Sequence, residues 1–143
     1  MERLLIQNIG LLATPAGHEA RRGPAQGEIS MTKNAWLLAE DGVIAASGTG
    51  APPGCGTAQV LDAQGCLVTP GLVDAHTHLI FGGWRQNELG LKLHGVSYLE
   101  ILARGGGILS TVEATRAASE TALVQKALPE LETMLRWGTT TCE

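Results

Sequence analysis

The stretch Val68-Thr69-Pro70-Gly71-Leu72-Val73-Asp74-Ala75-His76-Thr77-His78 constrains this chain more than any other. Pro70-Gly71 marks a turn, and Leu72-Val73 behind it reads as a buried strand. Side chains at i and i+2 of a strand point to the same face, so His76 and His78 present two imidazoles together. Two neutral imidazoles on one rigid element supply half of a first-row metal site. A bare His-x-His is often a chance pair, but here Pro-Gly-x-x-Asp stands in front of it.

The composition describes a chain without a nucleic-acid or membrane signature. With 143 residues, it has room for one domain and a modest core. A net charge of -4 with 17% charged residues provides no basic face for nucleic acid. No apolar run approaches the roughly 20 residues of a membrane span. The opening Met1-Glu2-Arg3-Leu4-Leu5-Ile6 lacks a secretory pattern, since Asn8 and Gly10 interrupt it. Cys55, Cys66 and Cys142 show no metal or redox spacing, and reduced thiols in a cytoplasm are the expectation.

The residues before the histidine pair read as short strands. Arg3 to Ile9 is a first strand, and Thr14 to Gly27, with His18 solvated in it, is a surface loop. Trp36-Leu37-Leu38-Ala39 and Val43-Ile44-Ala45-Ala46 flank Asp41-Gly42, a type I′ hairpin signal. Thr49 to Gly56 is a further loop, and the apolar runs Gln59 to Asp62 and Cys66 to Val68 follow it. Nothing in this β module suggests chemistry by itself.

Beyond His78 the chain enters a long loop that carries Arg85, Asn87 and Glu88. A planar guanidinium suits bidentate capture of a carboxylate, whereas a lone arginine is commonly a surface residue. Asn87 and Glu88 either orient Arg85 or lie on a solvated face, and His94, out of register with the pair, reads as structural. Ser97 caps a short helix through Arg104, with Glu100 at the capping-box position. Gly105-Gly106-Gly107 ends that helix; it is either a flexible loop or a set of exposed N–H groups that a carboxylate could approach. Ser110 and Thr111 either donate hydrogen bonds or cap the next helix.

Ser119 to Trp137 is the clearest helix. Leu123, Ala127, Leu131 and Leu135 recur every fourth residue, Leu128 and Met134 widen the stripe, and core packing is the expectation for it. Pro129 inside the pattern predicts a kink or break near Lys126 to Leu128. Gly138 is a stop, and Gly138-Thr139-Thr140-Thr141-Cys142 starts another strand.

Pro70 through His78 resembles the first-strand signature of the metal-dependent amidohydrolase superfamily. Leu79-Ile80-Phe81-Gly82-Gly83-Trp84-Arg85-Gln86-Asn87-Glu88, Gly95-Val96-Ser97-Tyr98-Leu99-Glu100-Ile101 and Gly105-Gly106-Gly107-Ile108-Leu109-Ser110-Thr111 are similar to the imidazolonepropionases within it. The resemblance runs from Leu4 to the last residue. It implies an α/β fold, an incomplete amidohydrolase-type (β/α)8 barrel consisting of the first β/α unit and the start of the second strand. A small β-sandwich-like module would occupy residues 1–66, normally completed by C-terminal strands, with the barrel portion at 67–143.

The resemblance also implies chemistry. His76 and His78 would ligate one divalent metal, Zn or Fe, and Arg85 would bind the carboxylate tail of a small-molecule substrate. Metal-activated water would open the cyclic amide of 4-imidazolone-5-propanoate to N-formimidoyl-L-glutamate, in histidine degradation. Asp74 would act behind the ligands or structurally, and Ala75 stands where proline is common in the family. The further ligands, the acid/base and a tyrosine motif lie on later segments of the family, so this chain reads as an N-terminal portion, inactive alone. The full-length protein would form a homodimer in the cytoplasm, with no nucleic-acid or membrane partner. The alternatives are a portion of another amidohydrolase, a ring deaminase or cyclic amidase, and a non-catalytic fragment that associates through an exposed sheet edge and apolar helix face.

Overall fold

The computed structural model describes every residue except 1, 18 and 55, so the expectations for His18 and Cys55 fall outside the described residues. The chain is α/β and divides into two compact units, Met1–Pro70 and Gly71–Glu143. The division falls at Pro70 and not at residue 66, because Leu67–Val68 hydrogen-bonds to the first strand.

The first unit is a sheet. Its strands are β1 (Arg3–Pro15), β2 (Ile29–Glu40), β3 (Val43–Thr49), β4 (Gln59–Asp62) and β5 (Leu67–Val68). Their order is β3-β2-β1-β4, with β5 also on β1. β1, β2 and β3 are antiparallel neighbours, whereas β4 and β5 run parallel to β1. Asp41 (φ 48°) and Gly42 (φ 81°) form the two-residue connection between Glu40 and Val43, the positive φ pair of a type I′ turn.

β1 extends past the expected Ile9 to Pro15, because Leu11 to Pro15 continue the ladder with β2. The expected Thr14–Gly27 loop is correspondingly shorter and contains a 3-10 turn at Gly23–Gly27. A bulge between Ile6 and Ile9 places Asn8 at φ 55°, a left-handed position that asparagine tolerates better than most residues. The buried side chains are cross-strand partners. Leu5 opposes Leu38 and Ile9 opposes Ala35, and Leu12 joins Ile9 and Ala35 in a cluster with Ile6, Leu37, Ala63 and Val68 against it.

The second unit places four helices between two short parallel strands, β6 (Leu72–Asp74) and β7 (Thr139–Cys142). The helices are α1 (Asn87–Leu93), α2 (Tyr98–Ala103), α3 (Gly107–Ala117) and α4 (Glu120–Arg136). Ser97 Oγ accepts the Glu100 N–H at 3.2 Å and Ser119 Oγ accepts the Ala122 N–H at 3.2 Å, so both expected caps form. Glu100 pairs with Arg104 on the next turn and does not reach back to close the capping box. α2, which carries the buried Ile101, packs against α1 and α3, and α4 packs against β7.

Four expectations need correction here. Leu72 and Val73 are 55% and 68% exposed, because β6 pairs with β7 without a layer of side chains over them. The α4 stripe is not a core: Ala127 is buried, but Leu128, Leu131 and Leu135 are exposed. Pro129 does not break α4, which runs unbroken to Arg136; the missing proline N–H leaves only the Gln125 carbonyl without its helical donor. The capping alternative for Ser110 and Thr111 fails, since both lie inside α3, which already starts at Gly107; Ser110 Oγ takes the other alternative and donates to Gly107 O at 2.9 Å.

Leu5, 1% exposed and opposite Leu38, is the test of the first core. Leu5→Ala should cost about 2–5 kcal/mol in urea denaturation, whereas Val60→Ala, on the exposed side of β4, should cost under about 1 kcal/mol.

Candidate functional site

His76 and His78 lie just past the C-terminal end of β6, not on the strand itself. β6 ends at Asp74, whose Oδ1 accepts the His76 N–H at 3.2 Å, a local turn that stops the ladder. The segment nevertheless stays beside the end of β7. Glu143 N–H donates to Asp74 O at 3.1 Å, and Thr77 donates to Glu143 O through its N–H (2.9 Å) and its Oγ1 (2.6 Å). Thr77 is therefore pinned, and the imidazoles on either side of it lie with centroids 5.1 Å apart and planes perpendicular. His76 Nδ1 is 3.7 Å from Glu143 Oε2, and both side chains are largely exposed.

This donor set suits part of a metal shell. Two imidazole nitrogens within a few ångströms are what a zinc or iron site takes from one strand end. Among the described residues no group of three or more His, Cys, Asp and Glu side chains comes together to hold an ion. The pair thus offers two ligands and leaves the other positions open.

The loop carrying Arg85 is held from two sides. Gly82 N–H donates to Thr115 Oγ1 on α3 at 2.8 Å, and Gly82 sits so close to that helix that a Cβ would lie 2.4 Å from the Ala114 carbonyl. From α4, Lys126 Nζ donates to Phe81 O at 2.9 Å and Gly83 O at 2.8 Å. The same ammonium lies 3.3 Å from the Phe81 ring centroid and 4.3 Å from that of Trp84. Desolvation lowers the Lys126 pKa below the usual lysine range, partly opposed by the charge of Glu130.

Arg85 follows directly and is exposed. Among the described residues no carboxylate lies within ion-pair distance of it. It lines a cavity of about 200 Å³ together with His78, Phe81, Ile108 and Thr111. One histidine of the pair and Arg85 therefore line the same space.

Glu88 does not orient Arg85, and it is not on a solvated face. It is 5% exposed in the first turn of α1, and its Oε1 accepts the Gly107 N–H at 2.6 Å. The glycine triplet thus receives a carboxylate, but an internal one, at the start of α3 where the helix dipole favours it. Gly106 must be small, since a Cβ would lie 2.7 Å from Ile101 Cγ2 and 3.1 Å from Glu88 Oε1. Oε2 of Glu88 has no hydrogen-bond partner among the described residues. His94 Nδ1 donates to Gly90 O at 2.7 Å at the end of α1, a local role in keeping with its structural reading. Sequence reasoning missed Lys126 and Thr115. Both look like ordinary helix residues, and only the arrival of the Phe81–Gly83 carbonyls and amide beside them marks them.

Comparison with known proteins places these residues in a family. Residues 59–133 match the amidohydrolase family. The imidazolonepropionase of Bacillus velezensis is 49% identical over 140 residues, covering 97% of this chain and 33% of that protein. The imidazolonepropionase of Caldanaerobacter subterraneus subsp. tengcongensis is 47% identical over 140 residues, 98% of this chain and 34% of the relative. That of Bacillus mycoides is 48% identical over 145 residues, 100% of this chain and 34% of the relative. The chain spans about a third of the length of the curated relatives it matches.

The Glu88 contact makes a direct prediction. Glu88→Ala leaves the Gly107 N–H buried without an acceptor and should cost about 1–3 kcal/mol in chemical denaturation. Glu88→Gln keeps an acceptor and should recover most of that loss.

Proposed function

The chain belongs to the amidohydrolase family, and on that premise we propose that it supplies the metal-binding and carboxylate-binding part of an imidazolonepropionase. The observation that carries this reading is the cavity shared by His78 and Arg85. Members of the family generally depend on a metal. His76 and His78 would be two ligands of one Zn or Fe ion, which when bound supplies an activated water. Arg85 would pair with the propionate carboxylate of 4-imidazolone-5-propanoate through a charge-assisted bidentate contact. Holding that tail beside His78 brings the ring carbonyl to the reacting water, so attack becomes effectively intramolecular. Hydrolysis then forms a C–O bond, breaks the ring C–N bond and yields N-formimidoyl-L-glutamate. Asp74 shapes the turn that presents His76 and is no ligand in this reading.

In architecture, the parallel pair β6–β7 with its helices is the first unit of a (β/α)8 barrel, and the sheet of the first unit is a module that further strands complete. Barrel active sites lie at the C-terminal ends of the strands, where the histidine pair stands. Two imidazoles do not fill a shell that takes three protein ligands and a water, so the isolated chain is inactive. The complete enzyme is a cytoplasmic homodimer. Among the described residues no helix is long and apolar enough to cross a membrane.

The test is a chimera in which this chain replaces the matching third of the Bacillus velezensis relative. Turnover of 4-imidazolone-5-propanoate supports the reading; turnover only of a ring amidine favours a deaminase. His76→Ala with His78→Ala should remove the metal, measured by elemental analysis, and lower kcat by about 10³-fold or more. Arg85→Met should raise KM about 10- to 100-fold, the loss of a charged hydrogen-bond pair. Measurable turnover by the isolated 143-residue chain would sink the assignment of the missing ligands to other segments. Concentration-dependent association of a chain that binds no metal would favour a non-catalytic role, for which the exposed face of α4 is the supporting feature.

A further inference from the structure

We infer that Lys126 is a positioning residue for Arg85: α4 fixes the Phe81–Trp84 loop through the Lys126 ammonium and so sets where the guanidinium stands. The inference rests on the carboxylate-binding role proposed for Arg85. Three observations carry it. Lys126 Nζ spans the loop by donating to the carbonyls of Phe81 and Gly83, which brackets Gly82 from one side. Thr115 Oγ1 on α3 accepts the Gly82 N–H, so α3 holds the residue between the two that α4 holds. The two aromatic rings that flank the glycines meet edge to face at 5.1 Å, and both lie against the same ammonium.

The loop needs such a device. Gly82-Gly83 is the most permissive dipeptide a chain can place before a binding residue, and Gly83 stands at φ 68°. Left to itself the pair would let Arg85 sample many positions, and each would reduce the fraction of molecules ready to bind. Lys126 itself is not among the residues that line the cavity with Arg85, and it reaches that space only through Phe81, which does line it. The rings of Phe81 and Trp84 lie 3.3 and 4.3 Å from the ammonium, measured to their centroids, and add cation–π attraction to the two hydrogen bonds.

The test uses this chain and two readouts. Propionate is the probe, with propionamide as the uncharged control, and the Arg85 Nε–Hε resonance reports binding by NMR. Amide hydrogen exchange at Gly82, Gly83 and Arg85 reports the loop. In the parent chain propionate should shift the Arg85 resonance and propionamide should not. Lys126→Met should weaken the propionate response about tenfold and speed exchange in the loop about tenfold, with exchange in β1 and β2 unchanged. Lys126→Arg, which keeps a cation and its donors, should restore both. Thr115→Val should move both readouts in the direction of Lys126→Met, which guards against a misfolded lysine variant. A Lys126→Met chain with an unchanged Arg85 response overturns the inference. A parent chain whose Arg85 ignores propionate overturns the carboxylate role itself, and this inference with it; that failure appears before any variant is made.

Discussion

Pairing β6 with β7 in parallel is the constraint on which the second unit depends. Parallel neighbours cannot be joined by a tight turn, so everything from Ala75 to Gly138 must leave one end of the pair and return to the other. The four helices are that return path. The constraint also decides where chemistry can sit, because the chain leaves β6 at its C-terminal end and the histidines are the first residues out. Their neighbour Thr77 is tied by two hydrogen bonds to the carbonyl of Glu143, at the matching end of β7. The histidine pair is thus positioned by a residue distant in sequence, although the motif that reveals it is local.

How much of this was legible in the sequence followed how local each determinant is. The hairpin at Asp41-Gly42, the caps at Ser97 and Ser119 and the stop at Gly138 depend on a few consecutive residues, and each appears where the sequence places it. Apolar periodicity marks Leu72-Val73 and the α4 stripe for burial, but it reports which face wants cover, not whether cover is present. Glu88 was unreadable for the opposite reason. A glutamate in the first turn of a helix is ordinarily solvated, and its burial follows from the Gly107 N–H that another segment brings to it. The extension of β1 to Pro15 was set by β2, whose matching residues lie far along the chain.

The candidate site divided along the same line. His76, His78 and Arg85 carry their chemistry in side-chain type and spacing, and the shared cavity brings His78 and Arg85 to one space. Lys126 and Thr115 have no such signal. What marks them is backbone geometry: two carbonyls and one amide from a glycine pair need partners, and the helices that pass over the loop provide them. A sequence containing Gly-Gly before a candidate binding residue poses the question of what holds it. Only the fold answers it.

The bulge at Asn8 has a consequence for how the first unit can change length. Between its pairings with β4 and β5, β1 has three residues, Asn8, Ile9 and Gly10, set against four, Ala63 to Cys66. The two stretches are laced together by Ala63 N–H to Gln7 O, Gly65 N–H to Asn8 O and Gly10 N–H to Cys66 O, at 2.8, 2.8 and 3.0 Å. Removing one residue from either side alone would turn every later side chain of that strand to the opposite face. The unit behaves as a vernier: its two scales differ by one division, and their zero marks must move together. A length change in β1 here must be matched in β2 as well, which pairs with β1 on both sides of the bulge, so segments far apart along the chain constrain one another's length.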